Sequence, residues 1–336
     1  MRASRTIQAL SPTAGAGDDV QARAPAVPVG LSRVGVSGVE KVVRIHQELF
    51  LARLDCYVDL SRDQKGAHMS RFDEVVNEAI GEVVLSESPF RAETLARHIA
   101  ELVRARQGAE RAEVTIAARY PEHKPAPVSG MQTQEIYTLH GRAVAFEHGT
   151  RGTVGVSATG MTACPCAQEL VAARARQRLR AEGLSDEQIE LVLEHVPVAT
   201  HNQRGLATLH IGCTEECAAE IDASTLLEIA EASMSSEIYE LMKRSDEVEV
   251  VEKAHRRPRF VEDCVREMIA GVVSRFADLD GASFVWARQE NLETIHQHNV
   301  LAERHGLLSQ LRAEVHSGVP ATHHTSLEEW LNAPVR

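Results

Sequence analysis

An α+β fold with an antiparallel sheet is what this sequence predicts, on three observations. Two apolar segments with strand-like patterning lie side by side at 36–45 and 49–60. Two amphipathic helical stretches follow them, and then a further pair of strand-like segments. The same order returns in the second half, without any residue-level repeat, so the duplication rests on pattern alone.

Taken in order, residues 1–30 read as a disordered tail, because Ser11 to Asp19 is small, polar and turn-rich. Val36, Val39, Val42, Val43 and Ile45 suggest an extended segment. Ala52, Leu54, Cys56, Val58 and Leu60 alternate through a second, and the two together read as a hairpin. Phe72, Val75, Val76, Ala79 and Val83 have helical spacing over 71–84, and Leu95, Ile99 and Leu102 mark one face of a helix over 90–107. Strands follow at 114–118 and 136–146, joined by a proline-rich connection at 121–127. The second half offers strands at 153–158 and 206–211, separated by a helical insertion at 168–195 that Gly183 breaks. Amphipathic helices are expected over 225–243 and 259–276, a short strand over 283–288, and a closing helix over 300–315. This divides the chain into a first module at 31–150, a second at 151–320 and a C-terminal tail at 321–336.

At 336 residues, with 43% hydrophobic and 25% charged residues, the chain has the composition of a soluble globular protein with one large or two medium domains. Aromatic residues make up 4%, so the core should be aliphatic. The net charge of -12 argues against a nucleic-acid partner, though not against a local basic pocket for one nucleotide. No segment has the length of a membrane span, and no secretory signal is evident. A cytoplasmic location is therefore expected, with the six cysteines unpaired.

Three polar clusters stand out against this aliphatic background. Cys164-Pro165-Cys166 has too short a bite for both thiols to hold one ion, so either one of them is a ligand or both are small buried apolar residues. His201-Asn202-Gln203-Arg204 precedes a strand and contains one candidate ligand; a solvated loop would look the same. In Glu293-Thr294-Ile295-His296-Gln297-His298, the two histidines would share a face on a strand but not on a helix. Asn291 is placed to cap a helix through Leu301, and Glu293 and His296 would then share a face, one as carboxylate and one as ligand. A polar surface helix is the alternative. Lys243 to Glu247 reads as a charge run at a helix end, and Glu262 and Asp263 as first-turn carboxylates; both are stabilising without any function. Cys213 and Cys217 read as structural. No phosphate-binding glycine loop, dinucleotide fingerprint or Gly-x-Ser-x-Gly elbow is present.

In combination and in order, these motifs resemble the type IB GTP cyclohydrolases, including the archaeal MptA branch. The resemblance is carried by Lys65-Gly-Ala-His-Met-Ser-Arg-Phe72, Gly160-Met-Thr-Ala-Cys-Pro-Cys166, His201 to Arg204, Tyr239 through Glu247, Phe260 to Asp263, and Glu293 to His298. It runs from about residue 34 to 315 and implies a tunnelling fold of two ββααββ modules, assembled as a homotetramer with active sites at subunit interfaces. It implies one divalent metal per subunit, iron(II) before zinc or manganese, at Cys164, His201, Glu247 and His296. Glu262 would anchor guanine, Glu293 would transfer protons with His298 nearby, and Lys65, Arg71, Arg204, Lys243 and Arg244 are candidates for the triphosphate. The implied reaction converts GTP and water to 7,8-dihydroneopterin triphosphate and formate, at the head of folate and pterin synthesis. The long insertion after Cys166 looks like the MptA branch, whose members can release the 2′,3′-cyclic phosphate instead. Another tunnelling-fold enzyme, such as a nitrile-forming reductase using NADPH, or a non-catalytic purine- or pterin-binding protein, are the other classes weighed.

Overall fold

A computed structural model describes residues 19–45, 48–85, 92–214 and 221–333. Its first module is β1 (Leu31–Ile45), β2 (Glu48–Leu60), α1 (Met69–Leu85), α2 (Ala92–Gln107), β3 (Arg111–Pro125) and β4 (Gln132–Phe146). The second begins with β5 (Gly149–Ala163), the helical pair α3 (Pro165–Ala181) and α4 (Asp186–His195), and β6 (Asn202–Cys213). It continues with α5 (Ala223–Ser233), the short β7 (Ser236–Glu237), α6 (Arg244–Arg256), α7 (Val261–Arg275), β8 (Phe284–Leu292) and β9 (Val300–Leu307). Two helices close the chain, α8 (Leu308–Ser317) and α9 (Leu327–Asn332).

All pairings are antiparallel, and the sheet runs β1-β2-β3-β4-β5-β6-β8-β9, with β7 added on β5. The expected α+β plan of two ββααββ units is therefore present, joined through β4 and β5 into one continuous sheet. Alternation puts Leu54, Cys56, Val114 and Ile116 beneath α1 and α2, and Val156, Leu209, Ile211 and Val285 beneath α5 and α7, giving each module its own aliphatic core. Cys56 and Cys264 belong to these cores, and burial pushes both thiols up to about 12, so they act as small apolar side chains.

The face opposite the helices is polar. Glu113 lies buried there against Arg33, Arg111 and Arg142. The His140 and His210 rings pack 5.2 Å apart, and Trp286 lies 5.0 Å beyond His210. Helix α9 covers one end of this face. Trp330 packs on Phe284 and Val144, donates its indole N–H to the Ala282 carbonyl at 3.0 Å, and lies under the Arg151 guanidinium. Gly212 has no side chain where the Trp330 ring sits.

Four sequence expectations are corrected. The helix expected over 225–243 ends at Ser233, because Ser235 and Ser236 are drawn onto β5; the Ser235 hydroxyl accepts the Ala163 N–H at 3.1 Å. The charge run at Lys243 is the start of α6 rather than the end of the preceding helix. Residues 300–307 form a strand, and the closing helix begins only at Leu308. The C-terminal segment holds α9, whose Trp330 and Leu331 are buried. Of the expected N-terminal tail, residues 1–18 lie outside the described residues. From Asp19 the chain is engaged: its carboxylate lies 2.9 Å from His68 Nε2, and the Gln21 carbonyl accepts from the Lys65 and Gly66 N–H groups. Cys217 also lies outside the described residues.

Candidate active site

Antiparallel order fixes which loops meet. The C-terminal end of β5, the start of β6, the end of β8 and the β3–β4 tip all lie at one end of the sheet. Cys164, His201 and the segment 293–298 therefore converge there.

Cys164 is the N-cap of α3. Its backbone is extended, its Sγ accepts the Ala167 N–H at 3.5 Å, and Pro165 takes the first helical position, where the missing N–H costs nothing. The Cys164 N–H donates to the His201 carbonyl at 3.1 Å, and the Thr200 hydroxyl donates to the Cys164 carbonyl at 2.8 Å. These bonds tie the loops after β5 and before β6 to each other. Cys166 is exposed in the first turn of the helix.

His201 is oriented by its neighbours. Its Nδ1 lies 3.1 Å from Gln203 Oε1, and the buried Gln203 uses its amide to donate to Thr162 Oγ1 at 3.1 Å. The same Nδ1 is 3.7 Å from Glu293 Oε2. The Glu293 side chain is 6% exposed, and its Oε2 is buried with no hydrogen-bond partner. A buried carboxylate oxygen left unpaired is costly, so its position demands a reason. The His296 ring stands edge-on to His201 at 6.5 Å, and His298 stacks on His296 at 5.2 Å.

No helix runs from Asn291 to Leu301. Residues 284–292 pair one by one with 204–212 on β6, and 284–291 pair with β9, so two ladders hold the chain extended to Leu292. Asn291 is buried and accepts from the Gln289 amide at 3.0 Å instead of capping. Glu293 and His296 thus meet His201 from a loop between two strands, and Thr294 pins that loop by donating to the Asn202 carbonyl at 3.0 Å.

Glu262 lies exposed in the first turn of α7, on the wall of a cavity of about 390 Å³ lined also by Val265, Arg266, Ile269, Arg304 and Leu311. Arg259, just before that helix, donates its N–H to the Ala163 carbonyl at 2.9 Å, which ties the start of α7 to the residue preceding Cys164. Glu247, Lys243 and Arg244 sit exposed at the start of α6. That helix start is docked on the β3–β4 tip by the buried Asp246, which accepts from Val128 N–H (2.8 Å), Ser129 N–H (2.8 Å), the Ser129 hydroxyl (2.7 Å) and Lys243 N–H (2.7 Å). Burial opposes ionisation of Asp246, but these four donors outweigh it and hold the carboxyl well below its ordinary range. Behind the β5 end, burial and Glu237 push the Tyr239 hydroxyl up to about 12, keeping it neutral, while Lys253 bonds Glu237.

Arg204 is exposed on β6 at the same end of the sheet. Lys65 and Arg71 are not. They follow β2 at the opposite end, where Arg71 donates to the Arg106 carbonyl at 2.9 Å. Among the described residues, no three His, Cys, Asp or Glu side chains converge closely enough to form a ready-made metal site. The donor chemistry at the β5 end nevertheless suits a divalent ion: a thiol, two imidazoles and a carboxylate whose Oε2 has no hydrogen-bond partner. Sequence reasoning missed Asp246 and Arg259 as the anchors of this end. A carboxylate three residues past Lys243, at the position that returns a bond to a helix cap, was the available signal for the first; nothing marked the second.

A family model described as type I GTP cyclohydrolase folE2 matches residues 18–302, and the chain belongs to that family. Among its relatives, the GTP cyclohydrolase MptA of Haloarcula marismortui is 43% identical over 303 residues, covering 88% of this chain and 97% of that protein. The GTP cyclohydrolase MptA of Methanococcoides burtonii is 40% identical over 310 residues, covering 88% and 96%. Among solved structures, a uricase from Bacillus fastidious aligns with a TM-score of 0.48 and 9% identity, over 88% of this chain and 99% of that one.

Proposed function

We propose that the chain is a GTP cyclohydrolase of the MptA type, converting GTP and water to formate, diphosphate and 7,8-dihydroneopterin 2′,3′-cyclic phosphate. The observation that carries this reading is the convergence of Cys164, His201 and the Glu293–His298 segment at one sheet end, in a chain of this family. The triphosphate product expected first gives way to the cyclic phosphate. The relatives at about 40% identity bear the MptA name, and the helical insertion likens this chain to that branch.

A divalent cation, iron(II) before zinc or manganese, would be held by Cys164, His201 and His296. Once bound, it would supply the Lewis acidity that brings water to a useful pKa for attack on the purine C8. The rest of the chemistry belongs to side chains. Glu293, whose Oε2 has no hydrogen bond and lies 3.7 Å from His201 Nδ1, would take up a proton and return it to the leaving nitrogen as the imidazole ring opens. His298, stacked on His296, is a further proton carrier at the rim. Glu262 accepts the N1–H and N2–H of guanine, which adenine cannot offer. Arg204, Lys243 and Arg244, at the same sheet end, attract the phosphates. Glu247, one turn beyond Lys243 at the α6 start, is a further ligand from that same sheet end, whereas Lys65 and Arg71, at the far end of the sheet, reach such a site only from another subunit. That is the sense in which a homotetramer with interface sites suits this chain. No helix among the described residues is long and apolar enough to cross a membrane.

The test is anaerobic incubation of iron-loaded protein with GTP, reading formate release and the phosphorus NMR spectrum of the product. A cyclic-phosphate resonance with free diphosphate is expected. An intact triphosphate chain on a pterin would return the first-expected product, and absence of formate would remove the cyclohydrolase reading.

A further inference from the structure

Gln203 is a polar side chain on a face of β6 that is otherwise built for the core. It is 5% exposed and lies directly across from Thr162 on β5. Further along the same face β6 carries Ala207, Leu209 and Ile211, all in the aliphatic core of the second module. An amide in such surroundings is costly unless both of its ends are bonded. Both are. Nε2 donates to the Thr162 hydroxyl at 3.1 Å, and Oε1 lies 3.1 Å from His201 Nδ1. His201 and Gln203 stand two apart where β6 begins, the spacing that puts side chains on one side of an extended chain.

The sense of the bond between them follows from the groups around the ring. A neutral imidazole has one N–H and one nitrogen lone pair. Two oxygen acceptors face Nδ1: Gln203 Oε1, and the Glu293 carboxylate at 3.7 Å. A lone pair between two oxygens is repelled by both, whereas an N–H is attracted by both. Thr162 holds the amide in the matching sense by taking the Nε2 hydrogen. Nδ1 therefore carries the imidazole hydrogen and donates it to Gln203, because 3.7 Å lies outside hydrogen-bond range. The lone pair falls to Nε2, which makes no hydrogen bond among the described residues. In a ligating histidine, the bond made by one ring nitrogen decides which nitrogen meets the cation.

We infer that Gln203 is a positioning residue that selects the ligating atom of His201, accepting the Nδ1–H and leaving Nε2 for the cation. The inference rests on the proposed reading of His201 as a metal ligand. Gln203 acts only through the imidazole. A residue that merely filled this space would be judged by volume: leucine would serve, and glutamate would bury a charge. A residue that works as an acceptor is judged by its oxygen: glutamate keeps it and leucine does not. The two roles therefore rank the same pair of substitutions in opposite orders.

The experiment uses full-length, metal-free Gln203→Leu and Gln203→Glu beside the unsubstituted chain, with folding confirmed by circular dichroism. Zinc(II) is the probe, titrated in competition with a chromophoric chelator. Gln203→Leu should bind zinc about 10–100-fold more weakly, the usual loss for a partner of a ligating histidine. Gln203→Glu should bind it at least as tightly as the unsubstituted chain. Gln203→Met, with no nitrogen or oxygen, takes the place of the leucine variant if that one does not fold, and should lose affinity in the same way. Undiminished affinity in the leucine or methionine variant would overturn the inference, as would a glutamate variant as weak as either. Formate release from GTP by the unsubstituted chain separates this inference from the reading it rests on. Formate release with equal zinc affinity in all the chains would remove the role of Gln203 and leave the cyclohydrolase standing. The predicted order of zinc affinities without formate would support the role of Gln203 and remove the cyclohydrolase.

Discussion

Glu293→Gln separates a working carboxylate from a structural one, because the two readings shift stability and activity in opposite senses. The side chain is 6% exposed and its Oε2 has no hydrogen-bond partner, with the nearest cationic candidate, His201 Nδ1, at 3.7 Å. Glutamine keeps the shape and removes the charge. An unsatisfied buried polar group costs about 1–3 kcal/mol, more when charged, so the amide should relieve about 1–2 kcal/mol in the metal-free protein. At about 2–4 °C per kcal/mol for a large domain, the melting temperature should rise by about 2–8 °C. Turnover of GTP should fall by about 100-fold or more, the usual loss for a general acid-base group. Calorimetry of the metal-free protein gives the first number, and formate release at confirmed metal content gives the second. A variant that melts lower while turning over normally would show that Glu293 is held in place for the fold, and the reasoning would fail.

Cys164→Ala should abolish metal retention and ring opening, whereas Cys166→Ala, at an exposed position, should keep both; equal metal loss in the two, read by elemental analysis, would contradict the assignment. Glu262→Gln should leave folding and metal content intact but weaken GTP binding by about tenfold or more, since a charge-assisted bond contributes about 1.5–3 kcal/mol; calorimetric titration checks this, and unchanged affinity would refute it. Burial lowers the His140 imidazole from 6.5 to about 4, with the equally neutral His210 ring packed on it. Between those two pH values the unfolded chain holds a proton that the folded chain does not, so stability should fall as pH drops from about 6.5 towards 4. In His140→Gln that slope, measured by thermal melts across the window, should shrink, and a slope left unchanged would exclude His140 as its source.

Much of the sheet was legible because both modules alternate apolar and polar residues along their strands. Leu54, Cys56 and Val58 mark one face directly, and the helices over 71–84 and 90–107 carry strong apolar stripes. The pattern misled where tertiary pairing overrode it. Apolar spacing from Leu226 to Met234 continues far enough to suggest one long helix, but the β5 edge takes Ser236 and Glu237 into a short strand. Asn291 looks like a helix cap in isolation, yet its strand is held by ladders on both sides, and no local signal reports the one that pairs it with Gly205 on β6. The site was legible as a set of residue types. Its geometry was not, because the approach of Glu293 to His201 depends on where β6 and β8 end relative to each other. The position of Lys65 and Arg71 at the far sheet end was equally hidden, being a property of strand direction.

The C-terminal helix α9 has a consequence for how the molecule comes apart. Trp330 touches Val144 on the last strand of the first module and Phe284 on the second, and Arg111 in β3 reaches Asn332 at 2.9 Å. Two modules with separate aliphatic cores would ordinarily melt as two units joined by a hinge. Here the short helix α9 is stitched across the seam, so neither half can loosen without releasing it. The modules should therefore unfold in a single cooperative step. Synthesis must also pass Asn332 before that stitch exists, so until then the nascent modules are held together by the β4–β5 pairing and not by α9.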